Sequence, residues 1–156
     1  FGCYGANLLT WLAKGQRPVS VFAAIQTFKP EFYSKVDDEA TIVVEYPSMQ
    51  GIIQASWNWP FGRKDMEVYG ATGYIYADNR SEVRIRLAGD KQERKQTLVD
   101  LSAPYDDPFS LLEALIRKKI TLPPYDLSSL ENNVLVVEIL DAARKSARTG
   151  RRVAIR

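Results

Sequence analysis

The chain has 156 residues, of which 46% are hydrophobic and 26% are charged, a balance that excludes disordered and collagen-like proteins. Its 21 basic and 19 acidic residues give a net charge of +2, which indicates no particular class of partner. Histidine is absent and Cys3 is the one cysteine, which excludes a histidine-based catalytic triad, an internal disulfide and a structural zinc site.

The first predicted element is a helix near the start of the chain. Four apolar residues recur there at helical spacing: Leu8, Leu9, Trp11 and Leu12. Gly15 is expected to end this helix, because glycine is the common residue just past a helix. A tyrosine flanked by glycines, Tyr4, lies at its beginning.

Strand signals follow, separated by short turns. Enrichment in β-branched and aromatic residues, or alternation of apolar and polar residues, predicts seven strands: 19–28, 40–46, 51–59, 66–70, 74–77, 82–87 and 95–101. In the third strand, one face is expected to carry Ile53, Ala55, Trp57 and Trp59. Strands joined by short turns predict a largely antiparallel sheet with one buried face.

Two helices and a last strand are predicted in the C-terminal part. One helix covers 108–120, and a capping box at Ser128-x-x-Glu131 predicts the start of a longer one that Gly150 ends. The apolar positions of the longer helix are Val134, Val137, Leu140, Ala143 and Ala147. With a final strand at 151–155, the pattern is that of an α+β protein, a sheet with helices on one face.

The segment 2–7, Gly-Cys-Tyr-Gly-Ala-Asn, has two interpretations. In one, it is a glycine-rich helix start in which Tyr4 is a half-buried packing residue. In the other, Tyr4 donates and accepts a proton near the end of the sheet. The residues alone leave both open.

The segment 57–65, Trp-Asn-Trp-Pro-Phe-Gly-Arg-Lys-Asp, is the second candidate for a site. Its aromatic rings could stack on the C–H faces of a sugar while its cations bind hydroxyls. The alternative is the end of a strand with core tryptophans and a solvated turn.

A basic cluster near the C-terminus is the third candidate. Its members are Arg144, Lys145, Arg148, Arg151, Arg152 and Arg156. Such a cluster can bind phosphate, but cations also suit the C-terminal end of a helix dipole. Because no stacking platform or RNA-binding motif accompanies it, we expect no nucleic-acid partner.

Four segments, 2–7, 36–41, 67–73 and 146–153, together resemble the C-terminal domain of the Gfo/Idh/MocA oxidoreductases. This is the family of glucose–fructose oxidoreductase and inositol 2-dehydrogenase. Its first helix begins with a pattern like Asp-x-Gly-x-His/Tyr-x-x-Asp/Asn, which Gly2, Tyr4 and Asn7 match. The aspartate of the pattern would fall before Phe1, and Tyr4 in place of the commoner histidine points to the glucose–fructose oxidoreductase-like branch.

The resemblance implies a domain organisation. Residues 1–156 would form a C-terminal substrate-binding and oligomerisation domain, an open and mostly antiparallel sheet with helices packed on one face. An N-terminal Rossmann domain, absent from this chain, would bind NAD or NADP and supply a catalytic lysine from a Glu-Lys-Pro motif. No cofactor-binding residue or metal ligand is then expected in this chain, which also lacks a glycine-rich phosphate turn between strand and helix.

The resemblance also implies the activity. The full-length protein would be an oxidoreductase acting on a CH–OH group of a sugar or cyclitol, and the fragment alone would be inactive. Tyr4 would be the catalytic residue, and Asn7, Trp59 and Arg63 would bind substrate. The substrate, the choice of NAD or NADP and the direction of reaction are not decided by these residues. The alternative function is a non-catalytic assembly or ligand-binding module.

The expected partners are a sugar-like small molecule, the Rossmann domain and further copies of the chain bound through the open sheet face. Apolar runs are far too short to cross a bilayer, so no membrane contact is expected. We expect a cytoplasmic protein, and export is left open because the sequence does not begin with methionine.

Overall fold

The computed structural model describes residues 2–155 and contains every predicted helix and strand. The elements follow in the order α1 (Gly2–Leu12), β1 (Ser20–Gln26), β2 (Glu39–Glu45), β3 (Gln50–Ser56), β4 (Met66–Gly70), β5 (Gly73–Ala77), β6 (Glu82–Leu87), β7 (Arg94–Thr97), α2 (Pro108–Ile116), α3 (Leu130–Thr149) and β8 (Val153–Ala154).

The strands form two four-stranded antiparallel sheets, with the orders β3-β2-β1-β8 and β4-β5-β6-β7. The chain divides into two compact units, each with one of these sheets. The first unit, residues 2–59 and 122–155, also contains α1 and α3, and the second, residues 60–121, contains α2. The predicted α+β class is confirmed, and the strands are shared between two sheets.

In the first unit, α1 and α3 cover one face of the sheet. Alternation along β1, β2 and β3 buries one set of side chains: Val21, Ala23, Ile42, Val44 and Ile53. This set forms one cluster with Ala6 of α1 and with Val136 and Ile139 of α3. Burial of apolar surface stabilises a fold by about 25 cal/mol per Å². The helix-facing side of the sheet is therefore the core of this unit.

The third predicted strand is longer than the observed one. β3 ends at Ser56, and Trp57 leaves the strand with its N–H donating to the Asp38 carbonyl at 2.8 Å. Trp57 is 54% exposed and Trp59 lies in the loop beyond. The prediction of a single face shared by Ile53, Ala55 and both tryptophans was wrong at the tryptophans, because alternation continues in the sequence after the ladder ends.

The start of α3 also differs from the prediction by one residue. The N-cap is Ser129, whose Oγ accepts from the N–H of Asn132 at 3.2 Å. Ser128 instead donates its N–H to Asp126 Oδ1 at 2.9 Å, so the predicted Ser128–Glu131 capping box is wrong. Both serines are suitable N-cap residues, and the turn at Asp126 before the helix selects Ser129.

The buried face of α3 was predicted only in part. Val134 and Val137 are exposed, whereas Val136, Ile139 and Ala143 are buried. The helix is anchored at its other end by Ser146, whose Oγ accepts from the Ala23 N–H at 3.0 Å and donates to the Arg151 carbonyl at 2.7 Å. Gly150 then ends α3 with φ of 64°, as predicted.

Helix α1 approaches β3 closely at two glycines. A Cβ on Gly5 would lie 2.5 Å from Ile53 Cγ2, and a Cβ on Gly51 would lie 2.4 Å from Leu9 Cδ1. Any side chain at either position would push the helix away from the sheet. The two glycines therefore set the distance between α1 and the sheet.

Asp38 closes the connection between β1 and β2. It is 1% exposed, and its two carboxylate oxygens accept the N–H groups of Phe28 and Lys29, each at 2.8 Å. Burial by itself raises the pKa of Asp38, but the hydrogen bonds to its charged form outweigh burial and hold the pKa below its ordinary value of 3.8. Asp38 is therefore ionised in the folded protein at neutral pH.

In the second unit, three tyrosines share one face of the sheet. The rings of Tyr74 and Tyr76 stack with centroids 4.5 Å apart, and Tyr69 lies edge-on to Tyr76. The hydrogen bond with Tyr69 raises the pKa of Tyr76 to about 12. Arg84 lies over the Tyr76 ring at 4.6 Å and pairs with both Asp78 and Glu93.

Two elements of this unit are shorter than predicted. β7 ends at Thr97 rather than at residue 101. α2 begins after Asp107, whose carboxylate accepts the N–H of Ser110 at 2.7 Å, and ends at Ile116 rather than at residue 120. Lys118 has φ of 56°, a left-handed conformation that does not continue a helix.

Because α1 approaches the sheet closely at Gly5, a Gly→Ala change there is expected to lower the free energy of unfolding rather than raise it. Gly→Ala inside a helix ordinarily stabilises by about 0.5–1 kcal/mol. Gly5→Ala should instead destabilise by about 1–3 kcal/mol, because the new methyl overlaps Ile53. The measurement is urea unfolding. Gly62→Ala, where a Cβ meets no atom within 4 Å, is the control, and a stabilising effect of Gly5→Ala would contradict the observed contact.

Asp38 predicts a dependence of stability on pH. Because its pKa is lower when folded than when unfolded, its contribution is complete above about 3.8 and is lost as the pH falls through the lower folded value. Asp38→Asn should therefore lower the urea midpoint at pH 7, and the difference from wild type should shrink below pH 3.8. Asp37→Asn, at the exposed neighbouring position, is the control. A difference that is unchanged down to acid pH would contradict this role.

Candidate functional site

The first turns of α1 hold the tyrosine that the sequence singles out. Tyr4 lies in the helix and is 66% exposed, while Ala6 on another side of the same turn is fully buried. The side chain is therefore not the half-buried packing residue of the structural interpretation. A phenol in this position is accessible to a small molecule and is carried by a helix that the sheet holds in place.

Asn7 lies one turn after Tyr4 and is bound to the other helix of its unit. Its amide nitrogen donates to the Leu127 carbonyl at 2.9 Å and to Asn133 Oδ1 at 3.2 Å. Its backbone carbonyl accepts from Asn132 Nδ2 at 3.3 Å. Both amide hydrogens of Asn7 are used within the chain, which leaves its Oδ1 as the atom that can accept from a ligand.

The other two predicted site residues lie at and beyond the end of the first unit. Trp59 is partly buried at the last position before residue 60, where the second unit begins. Arg63 belongs to the second unit, where Nε and one terminal nitrogen donate to the Asp65 carboxylate at 2.6 and 2.8 Å. This hydrogen-bonded guanidinium holds the pKa of Asp65 below its ordinary value. Tyr4 and Asn7 share one helix, and Arg63 is part of a separate ion pair.

A cleft of about 300 Å³ lies in the first unit, beside the first turn of α1. Gly2 and Cys3 line it on the α1 side, and its apolar lining residues are Ile25, Ala40, Ile42, Ala55, Leu140 and Ala143. Its polar lining comes from Asp37, Asp38, Glu39 and Arg144, and Trp57 adds an aromatic wall. This volume is at the lower end of the range for small-molecule sites.

The chemistry of the cleft suits a polar molecule with several hydroxyls. Carboxylates at Asp37 and Glu39 can accept hydrogen bonds, a guanidinium at Arg144 can donate them, and the Trp57 ring can stack on C–H groups. Asp38 differs, because Phe28 and Lys29 already occupy its oxygens. Glu39 also accepts from Ser56 Oγ at 2.5 Å, which orients its carboxylate.

Sequence reasoning missed most of these cleft residues. Asp37 and Glu39 lie in the segment 36–41, which carried the family resemblance but was given no chemical role. Trp57 belongs to the aromatic segment 57–65, in which Trp59 and Arg63 were chosen instead. Arg144 was included in the basic cluster, where the structure pairs it with Asp141 at 3.4 Å and pairs Arg152 with Glu45 at 2.8 Å. Arg156 of that cluster lies outside the described residues.

Three other features bear on function: clusters of metal ligands, a parallel βαβ unit for a dinucleotide, and membrane-spanning helices. Within residues 2–155, no group of three or more acidic or cysteine side chains is arranged to hold a metal ion. The strand pairings of both sheets are antiparallel, so the parallel βαβ unit that binds a dinucleotide is not formed by the described part of the chain. None of the helices described is long and apolar enough to cross a bilayer.

Comparison of the sequence with known families gives a match over residues 1–76, to the family described as GFO/IDH/MocA C-terminal domain. This range contains three of the four segments that carry the resemblance. No curated protein sequence matches the chain.

Three solved structures that share the fold of this chain are named as oxidoreductases. One is a "putative oxidoreductase" from Thermotoga maritima, with a TM-score of 0.81, 21% identity and coverage of 99% of this chain and 45% of that one. Another is an aldose-aldose oxidoreductase from Caulobacter crescentus complexed with glycerol, with a TM-score of 0.78, 18% identity and coverage of 99% and 46%.

A third is an oxidoreductase from Agrobacterium radiobacter in complex with NAD+, L-tartaric acid and magnesium, with a TM-score of 0.65, 16% identity and coverage of 95% and 46%. At these identities the likeness establishes the fold, and the chain spans about half the length of each of these structures. The family match over residues 1–76, together with the shared fold, confirms the resemblance recognised from the motifs: residues 1–76 are similar to the GFO/IDH/MocA C-terminal domain, and the chain as a whole has the fold of oxidoreductase structures.

Proposed function

We propose that this chain is the substrate-binding and oligomerisation domain of an NAD(P)-dependent oxidoreductase that acts on a CH–OH group of a sugar or cyclitol. The observation that carries the proposal is an exposed tyrosine, Tyr4, on a helix that is fixed against the sheet and whose first two residues, Gly2 and Cys3, line a cleft with hydroxyl-binding chemistry. The aldose substrate class in the name of one structure of the same fold supports the choice of a sugar.

The cofactor in this proposal is NAD or NADP, bound by a Rossmann domain in the same polypeptide. Two observations support it. The chain spans about half the length of three oxidoreductase structures that share its fold, and one of these structures is a complex with NAD+. The described residues do not form a dinucleotide site themselves. As the one cysteine, Cys3, is free and exposed, the cytoplasm is the compartment that we propose.

The proposed chemistry of this chain concerns the hydroxyl group and its proton. Hydride transfer is the chemistry of the cofactor. The Tyr4 phenol accepts the proton of the reacting hydroxyl during oxidation and returns it during reduction. Asn7 Oδ1 and Trp59, both of the first unit, bind neighbouring hydroxyls, and the substrate-binding role of Arg63, in the second unit, stays a prediction.

The cleft residues add to this proposal. The carboxylates of Asp37 and Glu39 accept hydrogen bonds from substrate hydroxyls, and Trp57 stacks on the C–H face of the ring. Because each hydroxyl both donates and accepts, this combination suits a polyol better than an apolar molecule.

The open face of the first sheet supports assembly. On the side away from the helices, Phe22, Val43 and Ile52 are paired neighbours on three adjacent strands. Phe22 is 44% and Ile52 is 63% exposed, so this row presents apolar surface to its surroundings. Contiguous apolar surface of this kind is typical of a subunit contact. We propose that the row is buried between copies of the chain.

The same row favours the second candidate function, a non-catalytic assembly or ligand-binding module. In that case the cleft and the apolar row would act without any proton transfer at Tyr4. The two functions differ in what they require of the Tyr4 hydroxyl.

Tyr4→Phe in the full-length oxidoreductase should lower kcat by about a hundredfold or more and change KM little, because it removes one acid–base group and keeps the ring. The measurement is steady-state oxidation of candidate sugars and cyclitols. Tyr105→Phe, at another exposed tyrosine, is the control and should retain kcat. A Tyr4→Phe enzyme with normal turnover would favour the non-catalytic module.

Ile52→Lys should reduce self-association, because it places a charge in the row that we propose is buried. The measurement is light scattering across protein concentration, with far-UV circular dichroism to show that the fold is kept. Val36→Lys, at an exposed position in the loop before β2, should not change the mass. Retention of the wild-type mass by Ile52→Lys would place the subunit contact elsewhere.

A further inference from the structure

Two adjacent asparagines at the start of α3 hold α1 by hydrogen bonds. Asn132 donates from Nδ2 to the backbone carbonyl of Asn7 at 3.3 Å. Asn133 accepts from the Asn7 side chain at 3.2 Å, and its own Nδ2 donates to the carbonyls of Leu127 and Ser129 at 3.0 and 2.8 Å. The Leu127 carbonyl also accepts from Asn7, so the Asn7 amide, the Asn133 amide and the Leu127 carbonyl form a closed network of three polar groups.

Asn132 is an unusual residue for its surroundings. It is 0% exposed, and its Oδ1 has no hydrogen-bond partner among residues 2–155. A buried acceptor without a partner lowers stability, and an apolar side chain of similar size would avoid that loss. The hydrogen bond from Asn132 to the Asn7 carbonyl is therefore a contact that an apolar side chain at this position could not make.

The remaining contact between the two helices is apolar. Ala6 and Leu9 of α1 pack in the same cluster as Val136, Ile139 and Leu140 of α3. Apolar contacts are not directional, so they oppose separation of the helices much more than a small slide or rotation. Hydrogen bonds depend on distance and angle, and those at Asn7 fix the position of α1 along its axis.

Tyr4 is three residues before Asn7 on the same helix. At a rise of about 1.5 Å per residue, the two lie about 4.5 Å apart along the axis, so a displacement of Asn7 is transmitted to Tyr4 with little loss. A misplacement of about 1 Å in a reacting group can cost about a hundredfold in rate. The hydrogen bonds of Asn7 are thus close enough to Tyr4 to affect proton transfer.

We propose that Asn132 and Asn133 are positioning residues for the reaction: by binding Asn7 they hold α1 in the register that places the Tyr4 hydroxyl at the substrate. Neither residue needs to contact the substrate. This inference rests on the proposed function of Tyr4.

The test uses the full-length oxidoreductase and begins with Asn133→Ala. Asn133 is an exposed helix position, so alanine should be tolerated by the fold. We expect kcat to fall about tenfold, KM to stay within about twofold, and the isotope effect on kcat with substrate deuterated at the reacting carbon to rise, because the chemical step becomes slower.

Asn79→Ala is the control, since it also removes an asparagine side chain that is hydrogen-bonded to the backbone, in this case accepting the N–H groups of Ser81 and Glu82, but in the second unit. It should leave kcat and the isotope effect unchanged. Asn132→Leu, which fills the buried volume but removes the donor to Asn7, should reproduce the loss in kcat while keeping or raising Tm. A purely structural role would lower Tm or the folded fraction without changing the isotope effect.

A double-mutant cycle separates this inference from the function of Tyr4. If the asparagines act through Tyr4, Asn133→Ala should cause no further loss of kcat in the Tyr4→Phe background. Equal losses in both backgrounds, or no loss in either, would overturn the positioning role while leaving Tyr4 as the catalytic residue. Normal turnover of Tyr4→Phe alone would overturn the proposed function, and the positioning role with it.

Discussion

The contact between α1 and β3 is the constraint on which the candidate site depends. It exists because Gly5 and Gly51 carry no side chain where Ile53 and Leu9 come close, with separations that a Cβ could not occupy. The helix is therefore seated on the sheet with Ala6 inside and Tyr4 outside. A tyrosine flanked by glycines is a weak pattern in the sequence. In the fold, the Tyr4 hydroxyl is carried by a helix that is held firmly against the sheet. Sites built on such elements hold their geometry better than sites on loops.

Hydrogen bonds add to this apolar contact and fix the helices in position on the sheet. Between β1 and β2, Asp38 uses both carboxylate oxygens on backbone N–H groups and so shapes the connection that borders the cleft. Asn7 ties α1 to the start of α3. Ser146 ties the end of α3 to β1 and to the turn before β8. Each contact is directional, and together they fix the helices on a sheet whose apolar core alone would allow sliding.

A structural feature could be predicted from the sequence where residues close in the chain cause it. Alternation along β2 and the glycine at position 150 are local signals, and both elements are where they were predicted. The N-cap at Ser129 rather than Ser128 is decided by the turn at Asp126, which the capping-box pattern does not include. The end of β3 before Trp57 involves a residue distant in the chain, because the Trp57 N–H donates to the Asp38 carbonyl. The bond between Asn7 and Leu127 spans 120 residues, and no periodicity could indicate it. The cleft has the same origin, since it joins side chains from α1, α3 and three strands that are far apart in sequence.

The central claim is that the Tyr4 hydroxyl exchanges a proton with the substrate. Its most direct test is a crystal structure of the full-length oxidoreductase with nicotinamide cofactor and a bound sugar or cyclitol. The account predicts that the Tyr4 hydroxyl oxygen lies about 2.6–3.2 Å from the oxygen of the reacting CH–OH group. A well-ordered substrate whose reacting hydroxyl is bound by another acid–base group, with the Tyr4 hydroxyl beyond hydrogen-bond distance and no bridging water, would contradict it.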